Sequence, residues 1–158
     1  MIPTLFYILA GVAVIATLLC ITEKHTVHAV LYLVTSFFSL AMIFFMLGAP
    51  LVAVFEVIIY AGAIMVLFLF IIMMIPVAPG EGSSPGFGDW WPAAILGAVT
   101  LAAAGYLILG EAPAPSSASV DIKTFARTLF RDYGLAVEIV SLQLLFALVG
   151  AFYLGRRR

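Results

Sequence analysis

Charged side chains are scarce in this chain of 158 residues. They make up 9% of the sequence, against 65% hydrophobic residues and a mean hydropathy of +1.25, whereas an ordinary soluble domain is roughly 25% charged. The seven basic and eight acidic residues nearly cancel, which leaves a net charge of −1 and no basic surface of the kind that binds nucleic acid. The composition excludes a soluble domain and indicates a membrane protein.

Residues that hold metals and cofactors are also few. The one cysteine, Cys20, cannot form a disulfide framework or a cysteine-based metal site within the chain. His25 and His28 stand beside Lys24, and without other ligands nearby we interpret them as headgroup or loop contacts, not as a metal pair or a proton antenna. No Gly-rich phosphate loop, dinucleotide-binding pattern or nucleophile constellation is present. We therefore expect no cofactor, metal or catalytic centre on this chain.

Long hydrophobic runs are what the sequence has in abundance. Five of them reach the ~20 residues that span a bilayer, and none alternates as a strand would, so each must satisfy its own backbone as a helix. The sequence predicts an all-α integral membrane protein, a single domain over residues 1–158 built as a bundle of five transmembrane helices. The runs cover residues 3–21, 27–47, 51–75, 91–109 and 134–154.

The two longest predicted loops, residues 76–90 and 110–133, differ in pattern. The second ends in DIKTFARTLFRDYG, where apolar residues recur at helical spacing and basic residues recur every four positions on another face. We predict a short amphipathic helix there, before the fifth span, lying at the membrane surface or against a neighbouring subunit. Asp121 is in position to cap its start.

The basic residues favour one orientation by a margin of one. Five spans place the termini on opposite sides of the membrane, and the side of the C-terminus carries four basic residues against three on the other side. Because cytoplasmic loops carry the excess of Lys and Arg, we expect a cytoplasmic C-terminus and an outer N-terminus. The four are Lys24, Arg156, Arg157 and Arg158, and the three are Lys123, Arg127 and Arg131.

Two carboxylates, Glu56 and Glu138, lie inside predicted spans. Each is about four to six residues from the same, outer end, which places both roughly 6 to 9 Å deep at 1.5 Å per residue. A carboxylate at the centre of a bilayer costs at least about 2.5 to 3.5 kcal/mol on insertion scales and needs a partner, water or a proton. These two could therefore face one internal polar layer.

A hydroxyl accompanies each carboxylate on the same helix face. Tyr60 follows Glu56 by four residues, and Ser141 follows Glu138 by three, so each pair makes a short polar stripe that could hold a few waters. Two interpretations stay open. The four residues line a proton path, or the carboxyl groups are permanently neutral and only hydrogen-bond to neighbouring helices.

Three small residues, Ala61, Gly62 and Ala63, follow Tyr60 directly. Small side chains let a neighbouring helix approach closely, and packing of that kind is the default interpretation. Glycine also lowers the resistance to a wide helical turn, and such bulges are frequent at functional sites. A bulge at these four residues is the alternative.

Three stretches of the sequence resemble one family of membrane subunits. IIYAGAIMVLFLFIIMM, residues 58–74, is similar to the third helix of subunit J of bacterial proton-pumping NADH:quinone oxidoreductase, respiratory complex I, whose mitochondrial counterpart is chain 6. HTVHAVLYLVTSFFSLAMIFFMLGAPLVAVFE, residues 25–56, resembles its second helix and hairpin. RTLFRDYGLAVEIVSLQLLFALVGAFYLGRR, residues 127–157, resembles its last loop and fifth helix. The resemblance covers nearly the whole chain except the third loop and the fourth helix.

This resemblance implies more than residue spacing does. Family members lie in the membrane arm of the bacterial inner membrane, beside the quinone-binding module and the small membrane subunits, while FMN, iron-sulfur clusters and quinone belong to other subunits. Their third helix holds a π-bulge at the positions that match Tyr60 and Gly62, and its conversion to an α-helix would open or close a water path. The family topology also places the C-terminus in the cytoplasm.

Two departures limit what the family implies. The position of Glu56 is glutamine in a number of relatives, and related complexes accept electrons from ferredoxin or a deazaflavin. The prediction is a subunit of a redox-driven proton pump whose third helix gates a hydrated path. The alternative is a purely structural scaffold of the same complex or of a related one. An autonomous transporter is disfavoured because the five spans show no inverted repeat or pair of broken helices.

Overall fold

The computed structural model describes residues 2–75, 90–109 and 121–156. Helix accounts for 91% of these residues, and no strand occurs among them. The described elements in chain order are α1 (Ile2–Thr22), α2 (Thr26–Met46), α3 (Pro50–Phe55), the π-helix π1 (Glu56–Ile64), α4 (Met65–Met74), α5 (Trp91–Leu109), α6 (Ile122–Arg131) and α7 (Gly134–Gly155).

Five helices in the described ranges are long and apolar enough to cross a membrane. Four of them are α1, α2, α5 and α7, and the third span is α3, π1 and α4 joined without a break as Pro50–Met74. The prediction of an all-α integral membrane protein with five transmembrane helices is confirmed. Most of the two predicted loops, residues 76–89 and 110–120, lies outside the described residues.

The chain divides into two compact units, residues 1–119 and 120–158, and each is considered by itself. The prediction of one membrane domain stays a prediction. In the second unit α6 contacts α7, and Phe125, Ala126 and Leu129 are half-buried while Lys123 and Arg127 are exposed.

Asp121 stands at the N-cap of α6, but the expected cap is not made. Its side chain forms no capping hydrogen bond, although its backbone carbonyl accepts the N–H of Phe125 at 2.9 Å. The expectation from the sequence is wrong here. Asp121 is exposed, so water can serve the first N–H groups of the helix in place of the carboxylate.

The turn between α2 and the third span depends on Gly48. This residue has φ 81°, a left-handed conformation that side chains with a Cβ disfavour. The N–H of Gly48 donates to the carbonyl of Phe45 at 3.1 Å, and the N–H of Ala49 donates to that of Phe44 at 3.0 Å. These two bonds form a Schellman motif, which ends α2 cleanly. Pro50 then starts the next helix, at the position where proline costs no hydrogen bond.

Replacing Gly48 with alanine should destabilise the protein by about 1 to 2 kcal/mol, because the alanine Cβ would meet the carbonyl in a left-handed conformation. The matched control is Gly11→Ala in α1, where an added Cβ has nothing within 4 Å and alanine is the better helix former. Thermal unfolding of the solubilised protein measures both variants. Equal midpoints for the two would contradict the role of Gly48.

The core of the first unit lies between α1, α2 and α5. One buried cluster consists of Val12, Ala16, Tyr32 and Leu96, and a second consists of Leu9, Ile43 and Ala103. Ala16 has no exposed surface at all, so helices α1 and α2 approach each other closely there. Close approach at small residues is the usual way in which membrane helices associate.

Candidate functional site in the third span

The backbone register of the third span changes along its length. The N–H of Glu56 donates to the carbonyl of Val52, four residues back, as in an α-helix. The N–H of Met65 donates to the carbonyl of Tyr60, five residues back, which is the π register. The π-helix between these points is nine residues long, longer than the single wide turn in which most π geometry occurs.

Gly62 lies inside this wide segment, at a place where a side chain would be crowded. A Cβ added to Gly62 would be 3.2 Å from the carbonyl oxygen of Val57, five residues earlier. At the other described helical glycines an added Cβ has nothing within 4 Å, and these are Gly11, Gly97, Gly105, Gly134, Gly150 and Gly155. The missing side chain of Gly62 thus avoids a close approach to a carbonyl of its own helix, while Ala61 and Ala63 carry a Cβ in the same π-helix.

The structure places Tyr60, Ala61, Gly62 and Ala63 together inside π1. None of the nine residues of π1 is fully buried, although π1 lies beside α2 and Ala61 and Gly62 are half-buried. The wide turn named as the alternative is present at these residues, and whether they also serve close packing stays a prediction. The Tyr60 ring is half-exposed and packs against Phe37 of α2, with ring centroids 5.3 Å apart and planes at 40°.

Glu56 is the first residue of π1 and the seventh of the third span. Six residues of helix place it about 9 Å from the start of the span. Its side chain is half-buried, and it makes no hydrogen bond or ion pair with another described residue. Among the described residues the carboxyl therefore has no partner, and water, a proton or a neighbouring subunit could serve it.

Glu138 and Ser141 belong to the second unit. The hydroxyl of Ser141 donates to the carbonyl of Val137 at 2.9 Å, so its hydrogen bond is satisfied within its own helix, as is common for serine in apolar helices. Glu138 is the fifth residue of α7 and is exposed. A polar layer shared by Glu56 and Glu138 stays a prediction.

Hydroxyl contacts between helices form a polar group that sequence reasoning missed. Ser36 of α2 donates to the carbonyl of Ala13 in α1 at 3.1 Å and is 3.0 Å from the hydroxyl of Thr17. Ser39 of α2 lies 3.5 Å from the hydroxyl of Thr100 in α5. Isolated Ser and Thr residues on apolar helices carry no spacing signal for such contacts, although they are known to join membrane helices.

The histidines lie near the start of α2. His28 is buried and its ring meets the Trp90 ring edge-on at 4.9 Å, while His25 lies 5.6 Å from His28. No group of three or more His, Cys, Asp or Glu side chains that could hold a metal ion occurs in the described ranges. The two rings therefore make contacts where α2 meets Trp90, at the end of the third loop.

An apolar groove of about 520 Å³ lies beside the start of π1, open on one side. It runs between the second half of α2, the beginning of the third span and the end of α5. The residues that line it include Phe38, Met42, Val54, Val57, Ile58 and Ile108. Every described residue that lines it has an apolar side chain, so these residues offer a bound molecule apolar contact.

Five apolar spans, a third span with a long π-helix, and carboxyl groups within two of the spans define a multi-pass helical membrane protein with an irregular central helix. The profile of the family described as NADH-ubiquinone/plastoquinone oxidoreductase chain 6 matches residues 16–154. The chain belongs to this family.

Curated relatives agree with the family profile. The chain is 43% identical to NADH-quinone oxidoreductase subunit J of Pseudomonas aeruginosa, with 96% of this chain and 95% of that protein aligned. It is 41% identical to the subunit J of Escherichia coli K12, over 96% and 85%, and 33% identical to that of Rhodobacter capsulatus, over 96% and 80%. The resemblance to subunit J is confirmed.

Proposed function

We propose that this protein is a membrane-arm subunit of a proton-translocating NADH:quinone oxidoreductase in the bacterial inner membrane, and that its third span gates a hydrated proton path. The observation that carries the proposal is the π-helix Glu56–Ile64, in which Gly62 leaves room for the wide turn. Long π segments are rare and cluster at functional sites. Family membership and the names of the relatives support the assignment to this complex.

Gating would use two registers of the third span. When one wide turn becomes an α-helical turn, the chain on one side of it rotates relative to the other by about one residue, roughly 100° at 3.6 residues per turn. Glu56 and Tyr60 would then face different neighbours in the two registers. Two arrangements that differ by a few kcal/mol suffice for such a switch.

The polar side chains would hold water beside this switch. Glu56 lies without a partner among the described residues, and Tyr60 adds a hydroxyl one turn deeper. We place Glu138 and Ser141 on the same path, on the second unit. Electron transfer would take place on other subunits, which hold the FMN, iron-sulfur clusters and quinone. Neighbouring subunits would include the quinone module and the small membrane subunits, and the C-terminus would face the cytoplasm.

The test is a triple variant, Glu56→Gln with Tyr60→Phe and Glu138→Gln. These changes keep the side-chain shapes but remove the two carboxyl groups and the hydroxyl, so the complex should assemble and reduce quinone. We expect its proton-to-electron ratio, measured in sealed vesicles, to fall at least about fivefold, the effect of roughly 1 kcal/mol. A control with Glu23→Gln and Tyr7→Phe makes the same chemical changes at a loop position and at an exposed ring.

A scaffold role in the same complex is the second candidate. It is favoured by the exposed surfaces of the third span and of α7, of which only 6% and 0% are buried within the chain. Apolar surfaces of this extent would let neighbouring subunits pack on both helices. Full assembly and a normal proton-to-electron ratio in the triple variant would support the scaffold and contradict the proton path.

A further inference from the structure

Helix α2 is held on two sides by its buried serines. Ser36 bonds to the Ala13 carbonyl of α1, and Ser39 lies at the hydroxyl of Thr100 in α5. Both serines are almost fully buried. The Ser39 hydroxyl donates within α2 to the carbonyl of Thr35 at 3.0 Å, whereas rotation of α2 would take the Ser36 hydroxyl away from its partners in α1, which is costly in an apolar interior. The rotational position of α2 is therefore fixed, and the third span packs beside it.

Phe37 stands between these serines in the sequence and presents its ring to the third span. Its ring centroid is 5.3 Å from that of Tyr60, inside the range of about 4.5 to 7 Å in which aromatic rings attract each other. Phe37 is half-buried. The contact thus joins the fixed helix to the middle of π1.

A change of register in the third span would move the Tyr60 ring away from Phe37 of α2. Tyr60 lies within the wide segment and so takes up part of the roughly 100° rotation that converts one turn. Half of that angle moves a side-chain tip 5 to 6 Å from the helix axis by roughly 4 to 5 Å. Even at right angles to the present separation, this displacement brings the two centroids to roughly 7 Å, the limit of an aromatic contact. The contact between Phe37 and Tyr60 therefore forms when the third span is in the π register and is lost in the α register.

We infer that Phe37 is a positioning residue of the third span, which favours the π register by holding the ring of Tyr60 against α2. The inference deepens the proposed gating function and rests on it for its consequence in the complex. The backbone register can be observed without measuring proton pumping. The role of Phe37 and the gating function can therefore be contradicted independently of each other. Phe37 acts through Tyr60 and needs no contact with protons or water.

The test is Phe37→Leu in the assembled complex, with the register of residues 56–64 read from classified cryo-electron microscopy maps. The leucine keeps an apolar side chain but removes the ring. The ratio of π to α particles should fall about 2- to 13-fold, which is what the roughly 0.5 to 1.5 kcal/mol of an aromatic pair produces. Phe37→Tyr keeps a ring and should restore the ratio.

The matched control is Phe45→Leu, the same substitution on the same helix, about 12 Å further along at 1.5 Å per residue. Its ratio should stay at that of the parent protein. An unchanged ratio in Phe37→Leu, or an equal fall in Phe45→Leu, would overturn the inference whatever the pumping activity. Phe37→Met, which is unbranched and lacks a ring, replaces Phe37→Leu if the leucine variant does not assemble, and the same outcomes decide.

Pumping in the same variants separates the two proposals. A fall in the π fraction with a lower proton-to-electron ratio supports both. A fall in the π fraction with unchanged pumping supports the role of Phe37 and contradicts gating by the third span.

Discussion

Replacing Gly62 with leucine should uncouple quinone reduction from proton pumping. The leucine Cβ would lie 3.2 Å from the carbonyl oxygen of Val57 in the π register, and overpacking of this kind costs typically about 1 to 3 kcal/mol. The population of the π register should therefore fall about 5- to 150-fold relative to the α register. The measurement is the proton-to-electron ratio in sealed vesicles, with the quinone reduction rate recorded alongside.

Two further variants make this prediction specific. Gly62→Ala adds only the Cβ and should give a smaller change in the same direction. Gly105→Leu places the same side chain on α5, where an added Cβ has nothing within 4 Å, and should pump normally. If Gly62→Leu assembled fully and kept a normal proton-to-electron ratio, the gating proposal would be wrong.

Replacing Ala16 with leucine should reduce the amount of assembled complex. Ala16 is fully buried between Val12, Tyr32 and Leu96, and three extra carbons cannot be placed there without moving a helix. We expect a loss of about 1 to 3 kcal/mol in stability, read as a lower thermal midpoint of the solubilised complex and a lower yield from membranes.

Ala102→Leu on α5 is the control for this substitution, because Ala102 is exposed and a larger apolar side chain there has room. Its yield and midpoint should match the parent protein. The same loss in both variants would show that leucine disturbs assembly at either position. It would contradict a specific contribution of the close approach at Ala16 to stability.

The spans could be predicted from the sequence because a bilayer leaves so few alternatives. An apolar run of about 20 residues has to satisfy its own backbone, and helix is the form that does so. The limits of the apolar runs then located the ends of the spans, and each end of the five spans lies within one residue of the expected position. Asp121 failed as a cap because capping depends on local competition with water, which spacing does not reveal.

The candidate site was less accessible to sequence reasoning. The residues alone left close packing and a wide turn both open for the cluster at Gly62, because the same small side chains serve either purpose. The backbone register depends on how the third span meets its neighbours, as in the contact of Tyr60 with Phe37. Contacts of this kind join residues far apart in the chain, and the periodicity of the sequence does not predict them.

The short turn at Gly48 also bears on how the protein enters the membrane. Only Leu47, Gly48 and Ala49 separate α2 from the third span, and none of the three is charged. The two helices can therefore leave the translocation machinery together as a helical hairpin during synthesis. If the turn reaches the far side of the bilayer, the turn itself carries no ionised group across, and the carboxyl of Glu56, six residues beyond Pro50, is the acidic group that has to enter with this end of the hairpin.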